Sequence, residues 1–141
     1  MAIYVLDTTT LSHLQRSHPR VLTRYVLAVV AGDAVGTTTV NVEEVTGGWV
    51  GQLRRSKTPA QEAIAAEFLA EAVRGLADLT IHHTTVPALA RFDALVRLKL
   101  NVGRADLKIA AVALEVGATV VTDNLRDFGR VPHLAAENWL V

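Results

Sequence analysis

Short apolar runs alternate with amphipathic stretches along this chain. Residues 2–6 are continuously apolar and include Ile3, Tyr4 and Val5, which reads as a strand buried on both faces. Thr8, Thr9 and Thr10 give a helix-capping signal ahead of Leu11 and Leu14. Pro19 opens a second helix with Val21, Leu22, Tyr25, Val26 and Val29 as its apolar face, ended by Gly32. Residues 34–40 predict a second strand. Asn41 reads as the cap of the next helix, with Glu44 three residues on as in a capping box; the helix runs past Gly47 and Gly48 to Leu53. Thr58 and Pro59 open a long helix to about Ala77, with Ile64, Phe68, Ala72 and Leu76 at spacings of four.

Residues 79–82 predict a short strand, and Pro87 starts a helix carrying Leu89, Phe92, Leu95, Val96 and Leu98. Beyond Gly103, Asp106 begins the strongest helical pattern in the chain, Leu107, Ile109, Ala110, Ala113 and Leu114, closed by Gly117. Residues 118–122 predict another buried strand, Asp123 and Asn124 turn the chain, and a last short strand is expected near residues 139–141. Apolar strands alternating with helices specify a parallel sheet covered on both faces, with right-handed crossovers. The predicted class is α/β with about four or five strands. No repeat or linker interrupts the 141 residues, which fit a single domain over residues 1–141.

Composition narrows the chemistry. There are no cysteines, which excludes a disulfide framework, a zinc-thiolate site and a cysteine nucleophile. Half the residues are hydrophobic and a fifth charged, which excludes intrinsic disorder. No apolar run approaches the roughly 20 residues of a membrane helix, and the N-terminus lacks a signal-peptide pattern, so a soluble, cytoplasmic protein is expected. Net charge is zero, 14 basic against 14 acidic residues. Nucleic-acid binders usually carry a basic excess. A divalent cation on some of the acids would leave the remaining surface effectively basic.

In an open parallel sheet, sites form beyond the carboxyl ends of the strands. Asp7 follows the first predicted strand and Glu43 and Glu44 the second; Asp106 opens the helix before the last main strand, and Asp123, Asn124 and Asp127 follow that strand. Any one of these acids suits a first helical turn or a cap for structural reasons. Several at one sheet edge repel each other unless a hard cation such as Mg²⁺ or Mn²⁺ joins them, and such clusters serve phosphoryl hydrolysis.

These residues carry a resemblance. Val5-Leu6-Asp7-Thr8, Thr39–Glu44 with Gly48-Trp49, the run Gly103 to Ala111, Gly117 to Thr122, and Asn124-Leu125-Arg126-Asp127-Phe128 with Glu137-Asn138-Trp139 resemble the PIN-domain ribonucleases of the VapC type, toxins of type II toxin–antitoxin pairs. The resemblance covers nearly the whole chain; the Asp106 segment and the Arg126-Asp127-Phe128 end are its more specific parts. It implies a PIN-like three-layer α/β/α fold and an Mg²⁺-dependent ribonuclease, with Mn²⁺ as an alternative ion. It further implies a VapB-type antitoxin partner and a homodimer. Carried over position by position, Asp7 and Asp106 match the principal metal-ligand aspartates. Glu44, preferred over Glu43, matches the acid near the second strand, and Thr122 the site threonine. Asn124 stands where many members have a fourth acid; Asp123 or Asp127 is left to supply that charge, and Asp127 is preferred. Thr9 also departs from the usual Asn. Hydrolysis by water would leave a 5′-phosphate and a 3′-hydroxyl.

Arg104, Lys108, Arg126 and Arg130 lie near the acids in sequence and are candidates to hold RNA phosphates, with solvated surface charge the competing reading. Arg54, Arg55 and Lys57 read first as a solvated helix end and second as a phosphate contact. His82 and His83, adjacent on a strand, point to opposite faces and make a poor acid–base pair; His13, His18 and His133 read as isolated surface residues. A phosphatase with Asp7 as nucleophile would usually need an acid at position 9, which is threonine. A degenerate PIN-like module that binds RNA or protein without cleaving is the non-enzymatic alternative. The apolar face of helix 59–77 reads as core before interface.

Overall fold

The computed structural model describes residues 1–141. Five strands form one sheet: β1 (Ile3–Leu6), β2 (Ala34–Thr38), β3 (Thr80–His82), β4 (Thr119–Val121) and β5 (Ala135–Glu137). All pairings are parallel and the order is β3-β2-β1-β4-β5. Seven helices connect them: α1 (Thr8–Gln15), α2 (Pro19–Val30), α3 (Thr39–Arg55), α4 (Pro59–Arg74), α5 (Val86–Arg97), α6 (Arg104–Val116) and α7 (Leu125–Phe128).

Alternation along the central strands makes two cores. Val5 and Val120 face one side with Phe92 of α5 and Leu107, Ile109 and Ala110 of α6. Leu6 and Val121 face the other with Leu11 of α1, Val21 of α2 and Trp139. Both central strands are thus apolar at every position that must be covered, as a parallel sheet between helical layers requires. The result is the α/β/α arrangement that the strand–helix alternation predicts. The chain builds β1, β2 and β3 outward in one direction, then returns through α5 and α6 to place β4 on the other side of β1. That reversal opens a crevice at the carboxyl ends of β1 and β4.

Several boundaries differ from the sequence expectation. Strand β2 stops at Thr38, two residues early, because Thr38 rather than Asn41 caps α3: its hydroxyl accepts from the Asn41 amide, and the Asn41 side chain returns to the Thr38 amide. The capping box is therefore Thr38 with Asn41, and Glu44 is free of it. Asp7, not a threonine, caps α1. Helix α6 starts at Arg104, which puts Asp106 inside its first turn. The last strand is Ala135–Glu137, in register with β4, while Trp139 leaves the strand and is buried in the core. The turn at Asp123 and Asn124 continues into the short helix α7.

The apolar face of α2 and that of α4, the latter expected in the core, stand partly in solvent. On α2 only Val21 and Ala28 are buried, and Val26, Val29 and Val30 are exposed. On α4 Ala72 is buried, but Ile64 and Phe68 are exposed. No helix is long and apolar enough to cross a membrane.

Candidate active site

Asp7 leaves the end of β1, where its amide still donates to the Val121 carbonyl of β4 at 3.0 Å. One carboxylate oxygen, Oδ1, accepts from the Thr10 amide at 2.9 Å. That is ordinary capping, worth about 1 kcal/mol, but it occupies only one oxygen. The residue is buried, and the α1 helix end fixes its rotamer.

Glu44 lies one turn into α3 and is oriented by a relay from the strand ends. The Asn41 amide group donates from Nδ2 to Thr8 Oγ1 at 3.0 Å, and the Thr8 hydroxyl donates to Glu44 Oε2 at 2.8 Å. The relay is polarised in one sense: the amide supplies the proton that lets the threonine oxygen accept, and the hydroxyl proton goes to the carboxylate. Asn41 is fully buried, and its Oδ1 accepts from the Thr38 hydroxyl at 2.7 Å. Thr8 and Asn41 are the functional residues that reading along the sequence misses. Their contact spans 33 positions, and locally each looks like a cap.

Asp106 comes from the first turn of α6. Its carboxyl is pushed above the usual carboxylate range, first by burial and then by the charges of Asp7, Glu44 and Asp127. Asp106 therefore lies within electrostatic reach of the other three acids. Asp7, Glu44 and Asp106, brought from three elements, line one cavity of about 240 Å³ together with Thr8, Thr9, Asp123 and Asn124. Ile109 and Phe128 complete the wall, whose polar groups are carboxylates, hydroxyls and one amide, with neither histidine nor cysteine. No three of the carboxylates close on one ion-sized point. A cation such as Mg²⁺, which takes one or two carboxylates and keeps several waters, needs no such closed cage.

The loop after β4 divides the remaining candidates. Thr122 is fully buried and its hydroxyl accepts from the Asn124 amide at 2.9 Å, which shapes the turn. Asp123 and Asn124 face the cavity. Asp127 is not in its wall. Its Oδ2 accepts from Asn124 Nδ2 at 3.0 Å, and its Oδ1 lies 3.4 Å from Arg130 Nη1 and 3.5 Å from Arg126 Nε. The Asn124 hydrogen bond, then Arg126 and Arg130, hold it below the usual range despite opposing desolvation. Arg130 also donates to the Asn101 carbonyl at 2.9 Å, tying this loop to the segment that leads into α6.

Arg104 and Lys108 sit over the Phe92 ring, each 5.1 Å from its centroid. Arg126 is largely exposed. The histidines stand outside the acid cavity. His82 ends β3, and burial followed by the neighbouring His83 pulls its imidazole down toward the neutral form. His13 and His18 meet edge to face at 5.1 Å, so they are not isolated as expected.

The PIN domain family matches residues 4–134. Ribonuclease VapC1 of Haemophilus influenzae strain R2866 is 26% identical over 140 residues, covering 97% of this chain and 98% of the relative. Ribonuclease VapC2 of Rickettsia felis is 26% identical over 137 residues, with the same coverage. Among solved structures, the Rickettsia felis VapBC2 complex bound to a promoter DNA fragment superposes with a TM-score of 0.71 at 25% identity, covering 97% of this chain and 98% of that one. DNA-bound VapBC of Salmonella typhimurium gives 0.69 at 25% identity, with 99% of each chain covered.

Proposed function

The chain belongs to the PIN-domain family, and from that premise we propose that it is a metal-dependent ribonuclease of the VapC type, acting as a single domain in the cytoplasm. One observation carries the chemistry: Asp7, Glu44 and Asp106 reach a common cavity at the crevice between β1 and β4. Family membership and the full-length similarity to proteins named ribonuclease VapC support RNA as the substrate.

Asp7, Glu44 and Asp106 would hold Mg²⁺ or Mn²⁺. A bound divalent cation supplies a neutralising charge at the phosphate and a more acidic water. The chain's own residues do the rest. Asp7 is held by the α1 cap, Glu44 by Thr8 and Asn41, and Asp106 by the first turn of α6, so the acids are oriented before RNA arrives. A water oxygen attacks phosphorus, the bond to the 3′ oxygen breaks, and that oxygen leaves as a hydroxyl. We assign Asp123, which faces the cavity, as the fourth carboxylate, and Asp127 as the anchor that holds Asn124 and the loop. Thr122 shapes the same turn. Arg104, Lys108 and Arg126 remain candidates for RNA phosphates.

For partners, a small VapB-type antitoxin and a second copy of this chain are proposed. The exposed Val26, Val29 and Val30 on α2 offer apolar surface for such contacts. The test of function is cleavage of single-stranded RNA in Mg²⁺, with end-group analysis. The expected products carry 5′-phosphate and 3′-hydroxyl ends, and Asp7→Asn lowers the rate at least ~100-fold while leaving the α1 cap in place. Full activity in EDTA, or 2′,3′-cyclic phosphate ends, would overturn the proposal.

A further inference from the structure

The acid cavity is not isolated. Its residues Thr8 and Glu44 also wall a larger groove of about 540 Å³ between α1, α3 and α4. Trp49 and Phe68, whose rings stack at 4.7 Å and 14°, line that groove. Trp49 in turn borders a third hollow of about 430 Å³ at the far ends of α3 and α4, lined by Gln52, Arg55, Lys57, Gln61 and Ile64. Thr8 and Glu44 border both of the first two hollows and Trp49 both of the last two, so the three lie in sequence from the carboxylates to the carboxyl end of α3.

The charge along that path changes sign. The near end is acidic, the middle groove carries Glu44 and Glu71 against Arg16, and the far hollow contains two cations and no acid. Arg55 and Lys57 make no ion pair and no side-chain hydrogen bond within the protein. The Arg55 guanidinium folds back over Gly51, where a Cβ would lie 3.1 Å from Nη1, so the glycine gives it room against the helix. Two unspent cations beside an aromatic pair match what single-stranded nucleic acid presents, phosphates and flat bases.

We propose that this path is the RNA groove, with Arg55 and Lys57 binding phosphates on one side of the scissile bond and the Trp49–Phe68 pair meeting a base between those cations and the acids. The inference rests on the ribonuclease reading but concerns binding alone, so it can be tested without cleavage. Asp7→Asn protein is mixed with a fluorescently labelled single-stranded RNA of about 12 nucleotides, and affinity is measured over a salt series. Replacing Arg55 and Lys57 by alanine is expected to weaken binding at least tenfold and to reduce the magnitude of the log–log salt slope by about 1.4, two phosphates at ~0.7 each. Because Trp139 is buried, RNA-dependent quenching of tryptophan fluorescence reports on Trp49 and is expected to vanish in Trp49→Phe. Unchanged affinity and slope in the double alanine variant, or quenching that persists in Trp49→Phe, overturns the proposal. So does a double variant that keeps RNA affinity but loses a co-expressed protein partner, which would make the groove a protein-docking surface. RNA that binds this way without being cut by the unsubstituted chain would count against the nuclease reading only.

Discussion

Thr8 performs two tasks with one oxygen, accepting from Asn41 and donating to Glu44. Thr8→Val keeps the shape and removes both bonds, leaving a buried Asn41 proton unpaired. The expected outcome is metal affinity weakened about 10-fold or more, as for other ligand-orienting partners, together with a lower melting temperature, because the orphaned Asn41 proton costs about 1–3 kcal/mol. Manganese titration and thermal melting separate the two effects. Asp106 makes the opposite case. Its folded carboxyl titrates above its unfolded value, so the folded state binds the extra proton; the resulting stability is present at low pH and is lost as pH rises through the raised value. Near neutrality, without cation, the Asp106 charge is a cost. Asp106→Asn is therefore expected to raise the melting temperature in EDTA by roughly 3 °C while abolishing cleavage, and the gain should shrink toward pH 4. A melting temperature lowered by this substitution at neutral pH would refute that reading of the site. Asp7, Glu44 and Asp106 were legible in the sequence because a carboxylate after a strand or in a first helical turn is a local pattern. The Asn41–Thr8–Glu44 relay was not, since it exists only once two strand ends lie side by side.

At the scale of elements, β2 and α3 show why boundaries blur. Residues 34–40 include three consecutive threonines, β-branched and compatible with either state. What ends the strand is the reciprocal Thr38–Asn41 capping pair, so the helix begins earlier than the side chains suggest. Its consequence is functional: Glu44 is released from capping and left to face the cavity. The edge pairing of β2 with β3 depends on Gly36, where a Cβ would lie 2.2 Å from the Thr80 carbonyl oxygen. Backbone cannot yield as a flexible side chain would. Gly36→Ala is expected to destabilise the fold by at least ~2 kcal/mol, read by urea unfolding. Strand β5 was expected too late because Trp139 looked like a strand residue. It is instead a core plug whose indole donates to Glu137 Oε1 at 2.7 Å. The apolar faces of α2 and α4 were legible as faces, but periodicity alone does not say whether a face meets the sheet or another molecule.

For the whole molecule, the strand order matters more than the net charge. A zero balance argued against nucleic acid by bulk attraction, yet the acids gather at the crevice between β1 and β4 and two unpaired cations line a separate hollow at the far ends of α3 and α4. Placing a hard cation among the acids should draw the Asp106 proton off, so metal affinity is expected to fall as pH falls through that group's raised value, visible as proton release on binding. The measurement that tests the central claim most directly is calorimetric titration of Mn²⁺ into the unsubstituted chain and into Asp7→Asn and Asp106→Asn. The account expects the unsubstituted chain to bind the ion and each substitution to weaken that binding at least tenfold. Equal affinity in all three proteins, or no binding by the unsubstituted chain, would contradict it.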